Sequence, residues 1–225
     1  MVETRQVRDH YDRISDDYES HDPTIGKRLR KILSYVDFSG KTVLDVAGGT
    51  GYIGQMIKQM GGTYINLDIS TGMLSLAREK LSSMKGSHLL VLSDVHHIPL
   101  RKNKVDVALV SEVLEHVQNP ALVLHEVSRV LKPTGTIIVT NPNPFWAPIQ
   151  FLAEKVKYKA PEGPHTYIYH RALMRSIEQE GFIISTVDID FMPSDWGVWR
   201  ILESTFRGTI LENLALKHYI VATKK

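Results

Sequence analysis

Residues 43–54 read VLDVAGGTGYIG, and this stretch decides the fold of the chain. Its first part completes TVLDV (42–46), an apolar run that predicts a short buried strand. Its second part, GTGYIG, matches the pattern G-x-G-x-x-G, in which glycines let backbone N–H groups approach a ligand closely. Asp45 precedes Gly49 by four residues. The stretch therefore predicts a strand, a ligand-binding glycine loop and a helix, in that order.

Short apolar runs and helical patterns alternate on the C-terminal side of this loop. The predicted strands are 42–46, 63–68, 88–94, 104–111, 136–141, 181–190 and 214–225, and the predicted helices are 52–60, 70–83, 119–131 and 170–180. Nearly continuous apolar strands that alternate with helices are typical of a parallel sheet covered on both faces. We therefore predict an α/β fold with a Rossmann-like, mostly parallel seven-stranded sheet, whose last strand is antiparallel.

Two helical patterns precede the first strand. Val7, Tyr11, Ile14 and Tyr18 are spaced as on one face of a helix, which predicts a helix over 4–20. A second helix is predicted over 24–37, and Gly40 ends it.

We expect a single domain over residues 1–225, in which each region has its own role. The expected regions are an N-terminal helical lid (1–38), a cofactor-binding core (40–141) and two substrate-side insertions (142–168 and 192–211). The first insertion is rich in proline and has a short helix predicted at 148–158.

The composition excludes several classes of protein. With 43% apolar and 23% charged residues in 225, the chain suits one soluble globular domain. The net charge of +2 does not indicate a nucleic-acid partner, and the lack of cysteine excludes disulfides and thiolate metal sites. No apolar run approaches the roughly 18 residues of a membrane span, and the polar N-terminus is unlike a signal peptide. We expect a cytoplasmic protein.

Three acids stand at the ends of successive predicted strands: Asp45, Asp68 and Asp94. In an open parallel sheet, ligands bind at the carboxyl ends of the strands, so these side chains are expected around one ligand. An acid suits a cationic amino group, a ribose diol and the exocyclic amine of adenine, but not a pyrophosphate. The three acids therefore favour S-adenosylmethionine. A nicotinamide dinucleotide, the alternative that GTGYIG suggests, would leave Asp45 and Asp94 without roles.

The chain resembles the class I methyltransferases that use S-adenosylmethionine. The resemblance rests on five motifs in order, spanning about residues 40–145: VLDVAGGTG, NLDIS, LSDVHHIPL, DVALVSEVLEHV and LKPTGTIIVTNP. The loop departs from the usual D-x-G-x-G-x-G of the family because Ala47 replaces its first glycine and Gly48 follows. The form D-x-A-G-G-T-G resembles the ubiquinone/menaquinone C-methyltransferases, which typically carry an aspartate where this chain has Tyr52.

The resemblance implies a set of cofactor-binding residues. Gly49 and Gly51 would pass under the methionine part, and Asp45 would anchor the loop or the amino group. Asp68 would hold the ribose hydroxyls, and Asp94 would meet the adenine amine. The whole predicted cofactor set is Tyr11, Tyr18, Asp45, Ala47, Gly49, Gly51, Asp68, Ile69, Met73, Asp94, Val95 and Ser111. HYDRISDDY (10–18) is similar to the family segment that folds over the cofactor, although its two tyrosines could equally be packing residues.

His116, after the fourth strand, is the predicted catalytic residue, a general base for a hydroxyl or phenol acceptor. A structural role, in which its ring is bonded to backbone, is the alternative. The predicted substrate-binding residues are Asn141, Trp146, His165 and Tyr167, with Trp196 and Trp199 in the second insertion. His96 and His97 are adjacent and face opposite ways on extended backbone, so we predict no metal site.

These observations predict methyl transfer from S-adenosylmethionine to a small-molecule O, N or C nucleophile, aromatic or quinol-like in character, with S-adenosylhomocysteine as the second product. Two alternatives are a nicotinamide-dependent oxidoreductase and a regulatory protein that binds S-adenosylmethionine without catalysis. The expected partner is a small molecule rather than a nucleic acid, and the sequence leaves the oligomeric state open, with a homodimer as the candidate assembly.

Overall fold

A computed structural model describes residues 3–21, 25–147, 163–190 and 215–225. The helices are α1 (Thr4–Ile14), α2 (Ile25–Leu33), α3 (Tyr52–Gln59), α4 (Thr71–Ser82), α5 (Pro120–Val130) and α6 (His170–Gln179). The strands are β1 (Thr42–Val46), β2 (Thr63–Asp68), β3 (His88–Leu92), β4 (Val105–Ser111), β5 (Leu131–Pro142), β6 (Phe182–Asp190) and β7 (Lys217–Lys224). The helix predicted at 148–158 and the segment 192–211, with Trp196 and Trp199, lie outside the described residues.

The seven strands form one sheet in the order β3-β2-β1-β4-β5-β7-β6. The pairs among the first five strands are parallel, whereas β7 pairs antiparallel with both β5 and β6. The predicted mostly parallel sheet with an antiparallel last strand is thereby confirmed. The strand order reverses at β1, because β2 and β3 lie on one side of it and β4 and β5 lie on the other. In such folds ligands bind at this point.

Both faces of the sheet are covered. On β1, Leu44 and Val46 belong to one apolar core, and Val43 belongs to the core on the opposite face. Helix α3 packs closely on β2 at Gly54. A Cβ at this position would lie 2.3 Å from the Tyr64 ring, so only glycine allows the close approach. This close packing brings the Tyr64 hydroxyl beneath the glycine loop.

The N-terminal helix is shorter than the predicted span of 4–20. Helix α1 ends at Ile14, and the chain continues as a 3-10 helix over Ser15–His21. Ser15 donates its hydroxyl hydrogen to the carbonyl of Asp12 at 3.2 Å, and serine and aspartate favour such local bonds over a continued α-helix. The tighter turn lets Glu19 accept from both Thr50 of the glycine loop and Lys80 of α4.

The second helix is also shorter than its predicted span of 24–37. Helix α2 ends at Leu33, where the Ser34 hydroxyl donates to the carbonyl of Lys31 at 2.7 Å. Beyond it, the Tyr35 hydroxyl donates to Asp188 on β6 at 2.9 Å. The chain therefore leaves the helical path in order to dock on the sheet.

Strand β5 begins earlier than its predicted start at 136, immediately after α5. Thr134, with a φ of 61°, lies in the irregular stretch between the pairs Val105↔Leu131 and Val107↔Thr136.

Among the described residues, no helix is long and apolar enough to cross a membrane.

Candidate active site

A cavity opens at the carboxyl ends of β1, β2 and β4, beneath α1, with an empty volume of about 720 Å³ including its open mouth. Ten of the residues predicted to bind the cofactor line it: Tyr11, Tyr18, Ala47, Gly49, Asp68, Ile69, Met73, Asp94, Val95 and Ser111. His116, the predicted base, also lines it. The remaining lining residues are Thr4, Val7, His96, Glu112, Val113 and Val117.

The glycine loop turns sharply between β1 and α3. Ala47, Gly49 and Gly51 have φ values of 55°, 54° and 71°, in the left-handed region that favours glycine. A Cβ on Gly49 would find only the Met73 sulfur within 4 Å, at 3.9 Å, so the Gly49 backbone faces open space in the cavity. Gly51 does not line the cavity; a Cβ there would lie 3.1 Å from Ala77, which indicates a packing role.

Asp45 lies under the loop rather than in the cavity wall. It is buried and accepts a hydrogen bond from the Tyr64 hydroxyl at 2.6 Å. Burial raises the pKa of Asp45 to about 7, against the opposing effect of the Tyr64 bond, and the nearby Asp68 carboxylate adds to the rise. Its position suits support of the loop, one of the two roles that the resemblance implies for it.

Asp68 ends β2 at the floor of the cavity. Its two oxygens accept from the backbone N–H groups of Gly49 at 2.8 Å and Ser70 at 2.9 Å. Burial raises the pKa of Asp68 despite these bonds, so its environment partly disfavours the charged form. The backbone N–H of Ile69 also bonds to Asp68, and a carboxylate has about four acceptor positions, which leaves acceptor capacity for a ribose hydroxyl.

Asp94, beyond β3, is held by the residue two positions later. Its Oδ1 accepts from the backbone N–H of His96 at 2.9 Å and from the His96 Nδ1 at 2.6 Å. The Asn119 backbone N–H donates to the other ring nitrogen of His96 at 3.3 Å, so Nδ1 carries the hydrogen. Among the described residues, both bonds to Asp94 use the same oxygen, which leaves Oδ2 as an acceptor at the cavity wall.

Apolar side chains that follow these two acids in the sequence also line the cavity, and together they are the apolar slot. Ile69, Met73 and Val95 line this part of the cavity, and Met73 and Val95 are buried. Ser70 caps helix α4 by accepting from the Met73 N–H at 3.0 Å, which fixes the start of the helix that carries Met73.

His116 lines the cavity from a 3-10 turn after β4. Its Nδ1 lies 3.0 Å from the carbonyl oxygen of Pro164, which can only accept, so Nδ1 is the donor. In the neutral ring, Nε2 is then the basic nitrogen, and it lies 3.3 Å from the Tyr11 hydroxyl of α1. The Tyr11 ring contacts the edges of both His116 and Tyr18, with centroids 5.9 and 6.1 Å away.

Hydrogen bonds link polar side chains at the end of β4 to side chains of β5 and β7. The Ser111 hydroxyl lies 3.0 Å from that of Thr140, which donates to Glu112 at 2.9 Å. Lys217 donates to the other oxygen of Glu112 at 2.7 Å. Burial would raise the pKa of Glu112, but Lys217 and then Arg28 hold it below its ordinary value. Glu112, with a φ of 56°, therefore remains ionised and its charge is compensated.

None of the four residues predicted to bind the substrate lines this cavity. Asn141 donates to the carbonyls of Pro142 at 2.8 Å and Ile168 at 3.0 Å, and thereby ties β5 to the segment before α6. His165 lies behind His116, with ring centroids 6.0 Å apart, and Tyr167 contacts His165. Trp146 packs against Phe145. Their roles toward a substrate stay predictions.

The residues that sequence reasoning missed come mostly from α1 and the turn after β4. Val7 belongs to the same helical stripe as Tyr11, so the sequence did contain a signal for it. Val113 and Val117 flank His116 and give the cavity an apolar surface beside the basic nitrogen. Among the described residues, no three His, Asp or Glu side chains are grouped to hold a metal ion.

The donor set fits S-adenosylmethionine. A glycine backbone faces open space, one buried acid suits a ribose hydroxyl, a second acid has a spare acceptor oxygen, and apolar side chains line the same cavity. Among the described residues that line this cavity there is no lysine or arginine of the kind that would pair with the pyrophosphate of a dinucleotide.

Comparisons with known proteins agree with this geometry. Residues 44–139 match the family described as "Methyltransferase domain". The chain is 28% identical over 174 residues to a ubiquinone biosynthesis O-methyltransferase from Hydrogenovibrio crunogenus, covering 74% of this chain and 72% of the relative. It is 32% identical over 123 residues to a ubiquinone/menaquinone biosynthesis C-methyltransferase from Paraburkholderia xenovorans, covering 53% of this chain and 51% of the relative. The chain thus matches only about half the length of this second relative.

A solved structure of an S-adenosylmethionine-dependent methyltransferase from Thermotoga maritima has the same fold. Its TM-score is 0.72 at 18% identity, and the match covers 97% of this chain and 100% of that one. The motifs, the cavity and these relatives agree on one cofactor, S-adenosylmethionine. The chain is similar to S-adenosylmethionine-dependent methyltransferases over most of its length, and its match to the methyltransferase domain family covers residues 44–139.

Proposed function

We propose that this chain methylates a hydroxyl group, phenolic in character, on an apolar small molecule, with His116 as the general base. The observation that carries the proposal is the orientation of the His116 ring. The Pro164 carbonyl holds the hydrogen on Nδ1, which leaves Nε2 as the acceptor of a ring that lines the cavity, 3.3 Å from the Tyr11 hydroxyl. A phenol needs such an acceptor because it becomes a good nucleophile only as its proton leaves.

The cofactor supplies an electrophilic methyl group when it is bound, so the protein mainly has to bind, orient and exclude water. Asp68 and Asp94 would hold the ribose and adenine ends. Val113 and Val117 would pack against an aromatic acceptor, and Nε2 of His116 would take the acceptor's proton as its oxygen forms the new bond to carbon. Tyr11 would be displaced from Nε2, or would share it, when the acceptor hydroxyl arrives.

The named relatives support a small acceptor. One is a ubiquinone biosynthesis O-methyltransferase and another is a ubiquinone/menaquinone biosynthesis C-methyltransferase. A basic nitrogen beside apolar side chains favours an oxygen acceptor over the nitrogen and carbon acceptors that the sequence also allows. The same proposal has four further parts. The partner is a small molecule rather than a nucleic acid, and the location is cytoplasmic. Residues 1–38 act as a lid, and a homodimer is compatible with the fold.

Calorimetric titration of the purified chain with S-adenosylmethionine, and separately with NADH, tests the cofactor site. We expect micromolar binding of S-adenosylmethionine alone, weakened at least tenfold in Asp68→Ala, because a diol held by a buried carboxylate loses charge-assisted bonds worth about 1.5–3 kcal/mol. Binding of NADH instead would favour the oxidoreductase alternative. Binding without turnover of any phenol or quinol in a broad panel would favour the regulatory alternative.

A further inference from the structure

Asn66 is a polar residue at the centre of a buried parallel strand. It lies in the middle of β2, pairs in register with Asp45 of β1 and is completely buried. A buried amide costs free energy unless hydrogen bonds replace those it made with water. The other central positions of this strand, Tyr64, Ile65 and Leu67, belong to the apolar cores.

The Asn66 side chain holds the glycine loop. Its Nδ2 donates to the carbonyl oxygen of Gly49 at 2.9 Å. Asp68, two residues later and therefore on the same face of the strand, accepts the N–H of Gly49 at 2.8 Å. The two side chains thus hold both backbone polar groups of one loop residue, and that residue is the glycine whose backbone faces the cavity.

The same side chain accounts for the unusual glycine pattern of the loop. A Cβ on Gly48 would lie 2.6 Å from the Asn66 Oδ1 and 2.6 Å from the Asp45 Oδ2, distances that real Cβ atoms do not adopt. Any larger residue at position 48 would therefore displace the Asn66 or Asp45 side chain. Ala47, at a φ of 55°, adopts the left-handed conformation and is exposed.

We propose that Asn66 is a positioning residue for the cofactor, which fixes the backbone of Gly49 in the orientation that receives the methionine part of S-adenosylmethionine. It touches the loop and not the reacting atoms. Its loss would leave the Gly49 carbonyl without its donor and let the loop rotate. The inference rests on the cofactor site described above, and it predicts weaker cofactor binding at little cost to the rest of the fold.

Calorimetric titration of wild type, Asn66→Ala and Asn66→Asp with S-adenosylmethionine and S-adenosylhomocysteine tests the proposal, with thermal unfolding of each variant. Asn143→Ala is the matched control, because Asn143 is also buried and its amide also donates to a carbonyl, that of Ala215 at 2.6 Å, outside the cavity. We expect Asn66→Ala to weaken both ligands about tenfold. Asn143→Ala should lower the melting temperature without changing either affinity.

Asn66→Asp adds a second measurement, the pH dependence of cofactor affinity, which a purely structural role of Asn66 would not change. Its carboxyl can donate to the Gly49 carbonyl only while it is protonated, and it repels that carbonyl when ionised. The affinity of Asn66→Asp relative to Asn66→Ala should therefore rise as the pH is lowered from 8 to 6. If the alanine variant does not fold, the affinity of Asn66→Asp is compared with that of wild type over the same pH range, and the same rise is expected.

The outcomes separate this inference from the cofactor site itself. If wild type fails to bind S-adenosylmethionine, the site assignment falls. If wild type binds and Asn66→Ala loses no more affinity than Asn143→Ala, the site stands and the role of Asn66 is overturned. A ratio of the Asn66→Asp and Asn66→Ala affinities that does not change with pH would also overturn it.

Discussion

Asp45 is a buried acid whose described hydrogen-bond donor is a neutral hydroxyl. Its ionisation near neutral pH therefore lowers the stability of the fold. Its pKa is raised from 3.8 to about 7 by burial, so the folded chain keeps this proton after the unfolded chain has released it. Between about pH 4 and pH 7 the folded state binds more protons, and stability from this group therefore falls as pH rises. The full cost above pH 7 is about 4 kcal/mol at 1.36 kcal/mol per pH unit.

We therefore expect Asp45→Asn to gain stability relative to wild type as pH rises from 4 to 7, with no further gain above that. Urea unfolding of both proteins at pH 4 to 8 measures the difference. Asp106→Asn is the opposite control: Asp106 accepts from Lys132 at 2.7 Å and from Thr42 at 2.9 Å, and these bonds lower its pKa against burial. Its loss should destabilise at neutral pH and matter less as pH falls below 4. A pH-independent difference for Asp45→Asn would contradict the assignment.

His116→Gln removes the proposed base while it keeps a polar side chain at the same site. We expect the rate of methyl transfer to a weakly acidic phenol to fall about 10²–10⁴-fold, the usual contribution of general-base catalysis. The loss should shrink for phenols that are already ionised at the assay pH. Initial rates across phenols of graded acidity measure this. His125→Gln is the control, because His125 is exposed on α5 and bonded to Glu180; an equal loss for all phenols would indicate a structural role for His116.

The residues that sequence reasoning found, and those it missed, differ in a physical way. Asp68 and Asp94 were predictable because strand ends of a parallel sheet meet at one edge and the loop glycines marked that edge. Asn66 was not assigned a role, although a polar residue inside TYINLD was a visible anomaly, because its partner Gly49 is 17 residues away in the sequence. The pairing of His116 with Pro164 was unpredictable for the same reason, since it joins groups 48 residues apart.

Asp12, an acid on α1, ties the N-terminal helix to the start of α4. Asp12 accepts from the Ser70 hydroxyl at 2.6 Å and from the Gly72 N–H at 3.0 Å. Burial opposes its ionisation, but these bonds hold the pKa of Asp12 below its ordinary value, so the attachment weakens only in acid. Gly72 permits the contact, because a Cβ there would lie 2.8 Å from the Ser15 hydroxyl oxygen.

We expect Asp12→Ala to release α1. Trypsin should cleave the folded variant faster at Arg13, and S-adenosylmethionine affinity should fall about tenfold, because Tyr11 and Tyr18 would leave the cavity wall. Timed proteolysis with and without the cofactor measures both effects, since bound cofactor should protect wild type. Asp9→Ala is the control: Asp9 is an acid of the same helix that pairs only with exposed arginines among the described residues. Equal cleavage of the two variants would show that Asp12 is not the attachment.

Elements with strong periodicity were predictable to within a residue or two, as with α3, α4, α5 and α6. The two N-terminal helices were predicted too long because apolar periodicity continued past the point where serine hydroxyls bonded to the backbone. Periodicity records which face is apolar, not where a hydroxyl competes with the helix. Even so, Tyr18 reached the cavity, because the 3-10 helix keeps it on the same side as Tyr11.

The cofactor cavity draws its walls from α1, the turn after β1, the ends of β2 and β4, and the segment after β3. These elements are brought together only by the complete parallel half of the sheet, so the unfolded chain has no comparable site. A ligand that binds only the native state stabilises it by mass action. Cofactor binding should therefore be visible in the unfolding of the entire chain.

At a free concentration of about 100 times its dissociation constant, S-adenosylmethionine should stabilise the fold by about 2.7 kcal/mol. For a chain of this size that corresponds to a rise of roughly 5–10 °C in melting temperature. Scanning calorimetry with S-adenosylmethionine, S-adenosylhomocysteine and NADH measures the shift, and Asp68→Ala, which lacks the carboxylate at the cavity floor, should lose most of it. A shift with NADH alone would mean that the cavity holds a dinucleotide, and the fit of Asp68, Asp94 and the apolar slot to S-adenosylmethionine would have to be abandoned.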